Sequence, residues 1–144
     1  MNIDLIAPDD WHIHLRDGDA LATTVPHAAH QFARAIVMPN LKPPVTNAAQ
    51  ARAYAERIQA HVPEGVNFTP LMTLYLTDRT TAQDIYDAHA EGLVKAVKLY
   101  PAGATTNSDA GVTDLAHCDA ALNAMQDVGM PLLVHGEVTD SEID

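Results

Sequence analysis

Two histidines, His12 and His14, lie one residue apart in the segment DDWHIHLRDG. If this segment is a β-strand, alternate side chains share a face, so both imidazoles point the same way. Two imidazole nitrogens at that separation can bind one divalent metal ion. A pair of polar histidines without a metal has the same spacing, so the pair alone leaves both interpretations open.

A lysine, Lys98, interrupts the apolar run LVKAVKLYP, which is typical of a buried parallel strand. An unpaired ammonium is costly in such a strand, and desolvation favours the neutral amine. A neutral lysine can add carbon dioxide and become a carbamate, a two-oxygen anion that can bridge two metal ions. The alternative is a lysine at the strand end whose ammonium reaches solvent.

His135 follows the apolar run MPLLV, at the C-terminal end of the last predicted strand. In parallel barrels that end of the strands carries the active site. Together with His12, His14 and Lys98, it forms a set of side chains placed at strand ends in the same sense. This agreement favours a shared metal site, although a packed core histidine is the alternative for His135.

Arg16 and Asn40 are candidates for binding an anionic ligand at the same place. Arg16 lies two positions beyond His14, so it keeps the same facing if the strand continues, and its guanidinium suits a carboxylate. Asn40 follows the second strand and could donate an amide hydrogen bond to that ligand. Either residue could instead have an ordinary loop role, such as a turn after Pro39.

The remaining candidates for chemistry are weaker. Cys118 lies in a helical segment without a base nearby in sequence, which argues against a catalytic thiol. Five histidines lie on helical patterns and are interpreted as surface or packing residues: His27, His30, His61, His89 and His117.

Strand-like and helix-like segments alternate along the chain. The predicted strands are 10–15, 35–38, 67–76, 94–100 and 131–135. The predicted helices are 20–32, 47–62, 82–91 and 113–128, with a polar loop at 101–111. This order indicates an α/β fold with a parallel sheet covered by helices.

Two architectures fit this order, an open doubly wound sheet and a closed (β/α)8 barrel. The first strand lacks the glycine-rich turn that binds dinucleotides, which weakens the doubly wound alternative. A complete barrel needs about 250 residues. We therefore expect the 144 residues, with their five predicted strands, to be the first part of a barrel. Residues 138–144 have the pattern of another helix start.

Composition excludes several classes of function. With 47% hydrophobic residues the chain is globular, and its 8 basic and 19 acidic residues give a net charge of −11, which argues against nucleic-acid and anionic-membrane partners. The sequence lacks an apolar segment of about 20 residues and a signal-peptide pattern. A single cysteine fits a reducing, cytoplasmic setting.

Five segments in order resemble the motifs of the dihydroorotases, of the monofunctional bacterial type in the amidohydrolase superfamily. They are DDWHIHLRDG, AIVMPNLKPPVT, FTPLMTLYLTD, VKLYPAGATTNSDAGVT and GMPLLVHGEV. The resemblance extends from about residue 8 to residue 144. It implies a TIM-type (β/α)8 barrel of the metallo-dependent hydrolase kind, of which 1–144 would be the N-terminal portion of one catalytic domain, without strands six to eight.

The resemblance also implies a binuclear zinc centre. His12 and His14 match the ligands of the more buried zinc, and His135 matches a ligand of the second. Lys98 matches the lysine that is modified by carbon dioxide to N6-carboxylysine and bridges both zinc ions.

Substrate residues follow from the resemblance as well. Arg16 and Asn40 match the groups that hold the substrate carboxylate, and Thr105 and Thr106 match a mobile loop that closes over the substrate. The implied reaction is the reversible cyclisation of N-carbamoyl-L-aspartate to L-dihydroorotate in pyrimidine (UMP) biosynthesis.

The resemblance further implies a histidine on the sixth strand and a general acid/base aspartate on the eighth, both beyond residue 144. We therefore expect the chain alone to contain no catalytic acid/base and to be inactive, and we expect the full-length enzyme to be a homodimer. Two rivals remain: a truncated non-catalytic metal-binding or partner module, and another cyclic amidohydrolase of the hydantoinase or allantoinase type.

Overall fold

A five-stranded parallel sheet runs through the part of the chain that the computed structural model describes, which is residue 3 and residues 5–137. Its strands are β1 (Asp9–Ile13), β2 (Arg34–Val37), β3 (Thr69–Tyr75), β4 (Val94–Leu99) and β5 (Leu132–Val134). Each strand pairs in parallel with the next one in sequence. Because this order lacks the reversal that defines a doubly wound sheet, the strands wind as a half-barrel of the TIM type.

Four helices cover one face of the sheet. They are α1 (Leu21–Gln31), α2 (Ala48–Gln59), α3 (Ala82–Glu91) and α4 (Asp119–Val128). Each contributes at least one side chain that is fully buried in the core: Val25, Ile58, Ile85 and Ala121. Removal of this apolar surface from water is the main force that fixes each helix on the sheet. Among the described residues, none of the helices combines the length and apolarity that crossing a membrane requires.

The fourth helix is shorter than the predicted 113–128. Thr113 donates from its backbone amide and its hydroxyl to the carboxylate of Asp78, and Asp114 accepts from the amide of Ala116. These contacts hold the segment outside the helix, which begins only after the 3-10 turn Leu115–Cys118.

The first strand is also shorter than the predicted 10–15. It ends at Ile13, after a register shift against β2, and Arg16 adopts a left-handed backbone with φ 64°. The expected helix start at 138–144 lies outside the described residues.

Candidate metal centre

His12 and His14 converge at the C-terminal end of β1. Their Nε2 atoms are 3.2 Å apart and their ring centroids are 5.1 Å apart. Two imidazole ligands at 2.0–2.1 Å from a tetrahedral zinc ion lie about 3.3–3.4 Å from each other. The observed separation therefore fits one shared cation, although His14 lies just after the strand rather than within it.

Lys98 lies near the C-terminal end of β4, where it pairs with Tyr75 of β3 and Leu133 of β5. The residue is only 3% exposed, and its Nζ is 5.2 Å from the centre of the Tyr100 ring. Among residues 5–137, no salt bridge involves this lysine. Burial lowers the pKa of Lys98, which favours the neutral amine that can react with carbon dioxide.

The electrostatics link the lysine to the histidine pair. Burial lowers the pKa of His12, and the charge of Lys98 lowers it further. The pKa of His14 is lowered by burial first and by Arg16 second. Both histidines are therefore neutral near pH 7, the form that a metal ligand requires.

His135 lies at the same edge of the sheet, directly after β5. Its backbone amide donates to the Leu99 carbonyl at 3.0 Å, and its ring centroid is 5.9 Å from that of Tyr100. Its Nε2, however, is 2.7 Å from a carboxylate oxygen of Glu137. In the described part of the chain, no three or more His, Cys, Asp or Glu side chains are grouped so that they could hold a metal ion. The ligand role of His135 remains a prediction.

Arg16 departs from the sequence expectation. Because β1 ends at Ile13 and the Arg16 backbone is left-handed, the strand does not continue to Arg16, which was the condition for the predicted facing. The Arg16 carbonyl accepts a hydrogen bond from the Tyr54 hydroxyl at 2.5 Å, while its side chain is exposed. Its charge still reaches the site, since it contributes to lowering the pKa of His14 and opposes the raised pKa of Tyr100.

Asn40 connects His14 to the loop after β4. It is 3% exposed, and its Oδ1 lies 2.9 Å from His14 Nδ1. Its Nδ2 donates to the Thr106 carbonyl at 3.0 Å, and its own carbonyl accepts from Asn107 Nδ2 at 3.0 Å. The side chain predicted to hold a substrate carboxylate is thus engaged within the protein in this conformation.

The predicted substrate loop carries Thr105 and Thr106 beside this asparagine. Ser108 closes the loop internally, because its hydroxyl donates to the Thr105 carbonyl at 2.6 Å and accepts from the Thr105 amide at 2.8 Å. Asn107 was not among the predicted site residues. Asn107 has a left-handed backbone with φ 57°. Asparagine is one of the few residue types that tolerate this conformation, so its presence in the loop was the sequence signal that could have indicated a special role.

Tyr100 was also not among the predicted site residues. Its ring stacks on that of Tyr75 at 5.1 Å, and its buried hydroxyl has no hydrogen-bond partner among the described residues. Burial raises the pKa of Tyr100 strongly, so the hydroxyl stays protonated and can donate. By contrast, Cys118 is buried with a raised pKa, which disfavours the reactive thiolate.

The comparison with family models decides the relationship of this chain to known proteins. The sequence model of the family described as the amidohydrolase family matches residues 5–144 of the chain. The chain belongs to the amidohydrolase family. Within it, the chain is 72% identical over 140 residues to a dihydroorotase of Leptothrix cholodnii and 69% identical over 140 residues to one of Ralstonia nicotianae. The matches cover 97% of this chain but only 40% and 41% of those relatives.

Solved structures agree with this assignment. A dihydroorotase from Campylobacter jejuni has a TM-score of 0.84 and 44% identity over 92% of this chain and 39% of its own. The dihydroorotase from Saccharomyces cerevisiae in complex with 5-fluoroorotic acid has a TM-score of 0.87 and 34% identity over 99% of this chain and 40% of its own. An L-hydantoinase from Arthrobacter aurescens has a TM-score of 0.71, covering 91% of this chain and 29% of its own, but at 16% identity it supports the fold alone.

Proposed function

We propose that this chain carries the first part of a dihydroorotase active site, for the reversible cyclisation of N-carbamoyl-L-aspartate to L-dihydroorotate in pyrimidine biosynthesis. The observation that carries the proposal is the 3.2 Å approach of the His12 and His14 Nε2 atoms at the C-terminal end of β1. The charge of the buried Lys98 contributes to lowering the pKa of both histidines. The proposal extends from relatives of which the chain spans about 40%.

The donor set fits a binuclear zinc centre. His12 and His14 would hold one zinc, a carboxylated Lys98 would bridge both, and His135 would hold the second after exchanging its contact with Glu137. When bound, the two zinc ions supply an activated water and polarise the scissile carbonyl. The protein contributes the buried amine and the neutral imidazoles that such a centre needs.

The substrate proposal rests on charge and position. Arg16 is exposed, and its charge acts on His14, so its guanidinium would pair there with a carboxylate of the substrate. Asn40 would donate its amide to the same group after exchanging its hydrogen bond to the Thr106 carbonyl. Thr105 and Thr106 would close over the ligand and exclude water. The net charge of −11 fits a small molecule rather than a nucleic acid or an anionic membrane.

The acid–base step is assigned to an aspartate expected beyond residue 144. We therefore propose that the 144-residue chain is catalytically inactive by itself. In an assay of the purified chain with zinc and bicarbonate, the rate should equal that of buffer with the same zinc. Turnover at about 1 s⁻¹, the lower end for ordinary enzymes, would contradict this part of the proposal.

Zinc binding by the purified chain tests the metal site separately. Competition with a fluorescent chelator should show binding that is lost in His12→Ala and kept in His89→Ala, which changes an exposed histidine of α3. Equal affinity of the two variants would refute the proposed ligands. Zinc binding without turnover, even within a longer chain, would favour the non-catalytic module. A cytoplasmic, homodimeric full-length enzyme is proposed on the resemblance alone.

A further inference from the structure

We propose that Asn40 is a positioning residue through which the loop after β4 sets the tautomer of His14. The inference rests on the proposed function only in treating His14 as a metal ligand. The Thr106 carbonyl, acting through Asn40, would decide which ring nitrogen of His14 carries a proton in the metal-free chain as well.

The orientation of the Asn40 amide is fixed by the loop. The Thr106 carbonyl can only accept a hydrogen bond, so the atom of Asn40 that faces it at 3.0 Å must be the donor Nδ2. The other end of the amide, Oδ1, then faces His14 at 2.9 Å. Without the carbonyl, the amide could rotate and present its NH₂ group to the ring.

The amide orientation in turn fixes the histidine. Because Asn40 Oδ1 can only accept, His14 Nδ1 must carry the proton that it donates. The lone pair of His14 is therefore on Nε2, the atom that lies 3.2 Å from His12 Nε2. This is the tautomer in which His14 can bind a metal shared with His12.

Both partners hold the asparagine firmly. Its side chain is 3% exposed, so water competes poorly for its hydrogen bonds. Asn107 adds a second tie by donating from Nδ2 to the Asn40 carbonyl at 3.0 Å, and the Asn107 carbonyl accepts from the Tyr75 hydroxyl at 3.3 Å. Since coupling between two sites is reciprocal, a metal bound at His14 stabilises the loop as much as the loop stabilises the metal-binding tautomer.

Two substitutions separate the links. Asn40→Asp keeps an acceptor for His14 Nδ1 but removes the donor to Thr106, whereas Asn40→Ala removes both. Asn123→Ala, at an exposed position of α4, is the matched control. Circular dichroism shows whether each variant folds. If Asn40→Ala does not fold, Asn40→Asp still tests the hydrogen bond between Asn40 and Thr106.

The tautomer is measured by ¹⁵N NMR of the imidazole nitrogens in the metal-free chain. We expect His14 protonated at Nδ1 in the unchanged chain, in Asn40→Asp and in Asn123→Ala, and a mixture of tautomers in Asn40→Ala. Hydrogen exchange at the Ser108 and Gly111 amides should rise about fivefold in both Asn40 variants, as expected for the loss of one hydrogen bond. A His14 protonated at Nε2 in the unchanged chain, or a tautomer and exchange rates untouched by Asn40→Ala, would overturn the inference.

Zinc affinity provides the link to function. We expect Asn40→Ala to weaken zinc binding about 10–100-fold and Asn40→Asp to leave it within a few-fold of the unchanged chain. Failure of the unchanged chain to bind zinc would refute the proposed metal centre, while the NMR result would still decide the role of Asn40. Equal zinc affinities with the expected tautomers would show that Asn40 does not position a metal ligand.

Discussion

Lys98 is deeply buried near the C-terminal end of β4. Its Nζ lies over the Tyr100 ring, 5.2 Å from the ring centroid, and the described residues provide no carboxylate partner for it. Because desolvation of an unpaired charge destabilises a fold, we interpret Lys98 as a residue with a chemical rather than a structural role.

We predict that Lys98→Met leaves the free energy of unfolding unchanged or raises it by about 1 kcal/mol, because an apolar side chain removes the desolvation penalty. Urea denaturation measures this. The matched control is Lys95→Met, since Lys95 is exposed on the same strand and donates to the Gly92 carbonyl at 2.6 Å. Destabilisation by more than about 2 kcal/mol would indicate a structural lysine instead.

The same two variants test the modification. Native mass spectrometry in bicarbonate should show the mass of one bound carbon dioxide on the unchanged chain and on Lys95→Met. Lys98→Met should lack it. If carbon dioxide uptake is lost in Lys95→Met but kept in Lys98→Met, the carbamate is on Lys95, which would contradict the prediction.

At the residue scale, the sequence predicts those side chains whose environment is set locally. His12, His14 and Lys98 could be chosen because a period of two and an apolar run define facing and burial. The contact of His135 with Glu137 and the hydrogen bond of Asn40 to Thr106 could not be predicted, because both depend on loop conformations.

Among the structural elements, the loop after β4 contains a glycine, Gly111, whose surroundings leave no room for a Cβ atom. A Cβ at Gly111 would collide with the carbonyl oxygen of Tyr100 and lie 2.9 Å from that of Ser108. The two chain segments are joined there by the Val112 amide, which donates to the Tyr100 carbonyl at 2.8 Å.

We predict that Gly111→Ala lowers the free energy of unfolding by about 1–3 kcal/mol, the usual range for an overpacked site. Hydrogen exchange at the Val112 amide should rise, since the backbone must move apart. Gly136→Ala, where a Cβ meets nothing within 4 Å, is the control and should change neither quantity. Equal behaviour of the two variants would contradict the tight packing of the loop.

A second element-level contact ties the β1–α1 connection to α2. Arg57 donates from Nε at 2.8 Å and from Nη2 at 2.7 Å to the carboxylate of Asp17, which also accepts from the Gly18 amide. These hydrogen bonds, chiefly that of Arg57, lower the pKa of Asp17. A lowered carboxyl pKa stabilises the fold above the unfolded value of about 3.9, and this stabilisation disappears as the pH falls through the lower folded value.

We predict that Asp17→Asn is less stable than the unchanged chain at pH 7, by no more than about 1 kcal/mol because the pair is partly exposed. The difference should shrink as the pH falls below the unfolded value of about 3.9 and through the lower folded pKa, because the carboxylate becomes protonated. Urea denaturation at pH 7 and over a series of acidic pH values measures this. A difference that is independent of pH would show that Arg57 does not act through the charge of Asp17.

Helix boundaries could be predicted where short-range signals fix them. The observed α3 has the predicted limits because Thr81 and Asp84 form a reciprocal capping box and Gly92 ends the helix with φ 70°. The start of α4 could not be predicted, because Thr113 is held outside the helix by Asp78, a residue 35 positions away.

On the scale of the whole molecule, the described sheet has two unpaired edges. β1 and β5 each pair with only one neighbour, and large apolar side chains are exposed near them, including Ile6 at 95%, Trp11 at 63% and Val134 at 56%. Unprotected edges of this kind promote association between chains.

We predict that the purified chain associates reversibly with increasing concentration. Light scattering coupled to gel filtration should show a smaller average mass for Trp11→Lys than for the unchanged chain. Leu115→Lys, at an exposed leucine of the 3-10 turn before α4, is the control and should not reduce the mass. A monomer at every concentration would contradict the prediction.

The architecture was partly predictable at this scale. Alternating elements predicted the parallel sheet, and the missing glycine-rich turn together with the family resemblance favoured the barrel over the doubly wound sheet. The strand order confirms this choice, through pairings such as that of Lys98 with Tyr75 and Leu133. The likeness to dihydroorotases covers about 40% of their length, so contributions from later strands remain predictions.

We propose that His12, His14 and Lys98 meet at one metal centre. Anomalous diffraction from crystals of the chain grown with zinc and bicarbonate tests this proposal. We expect a zinc peak about 2.0–2.1 Å from Nε2 of both histidines, together with additional density for a carbamate on Lys98 Nζ. Zinc bound elsewhere, with the two imidazoles in mutual contact and an unmodified Lys98, would contradict it.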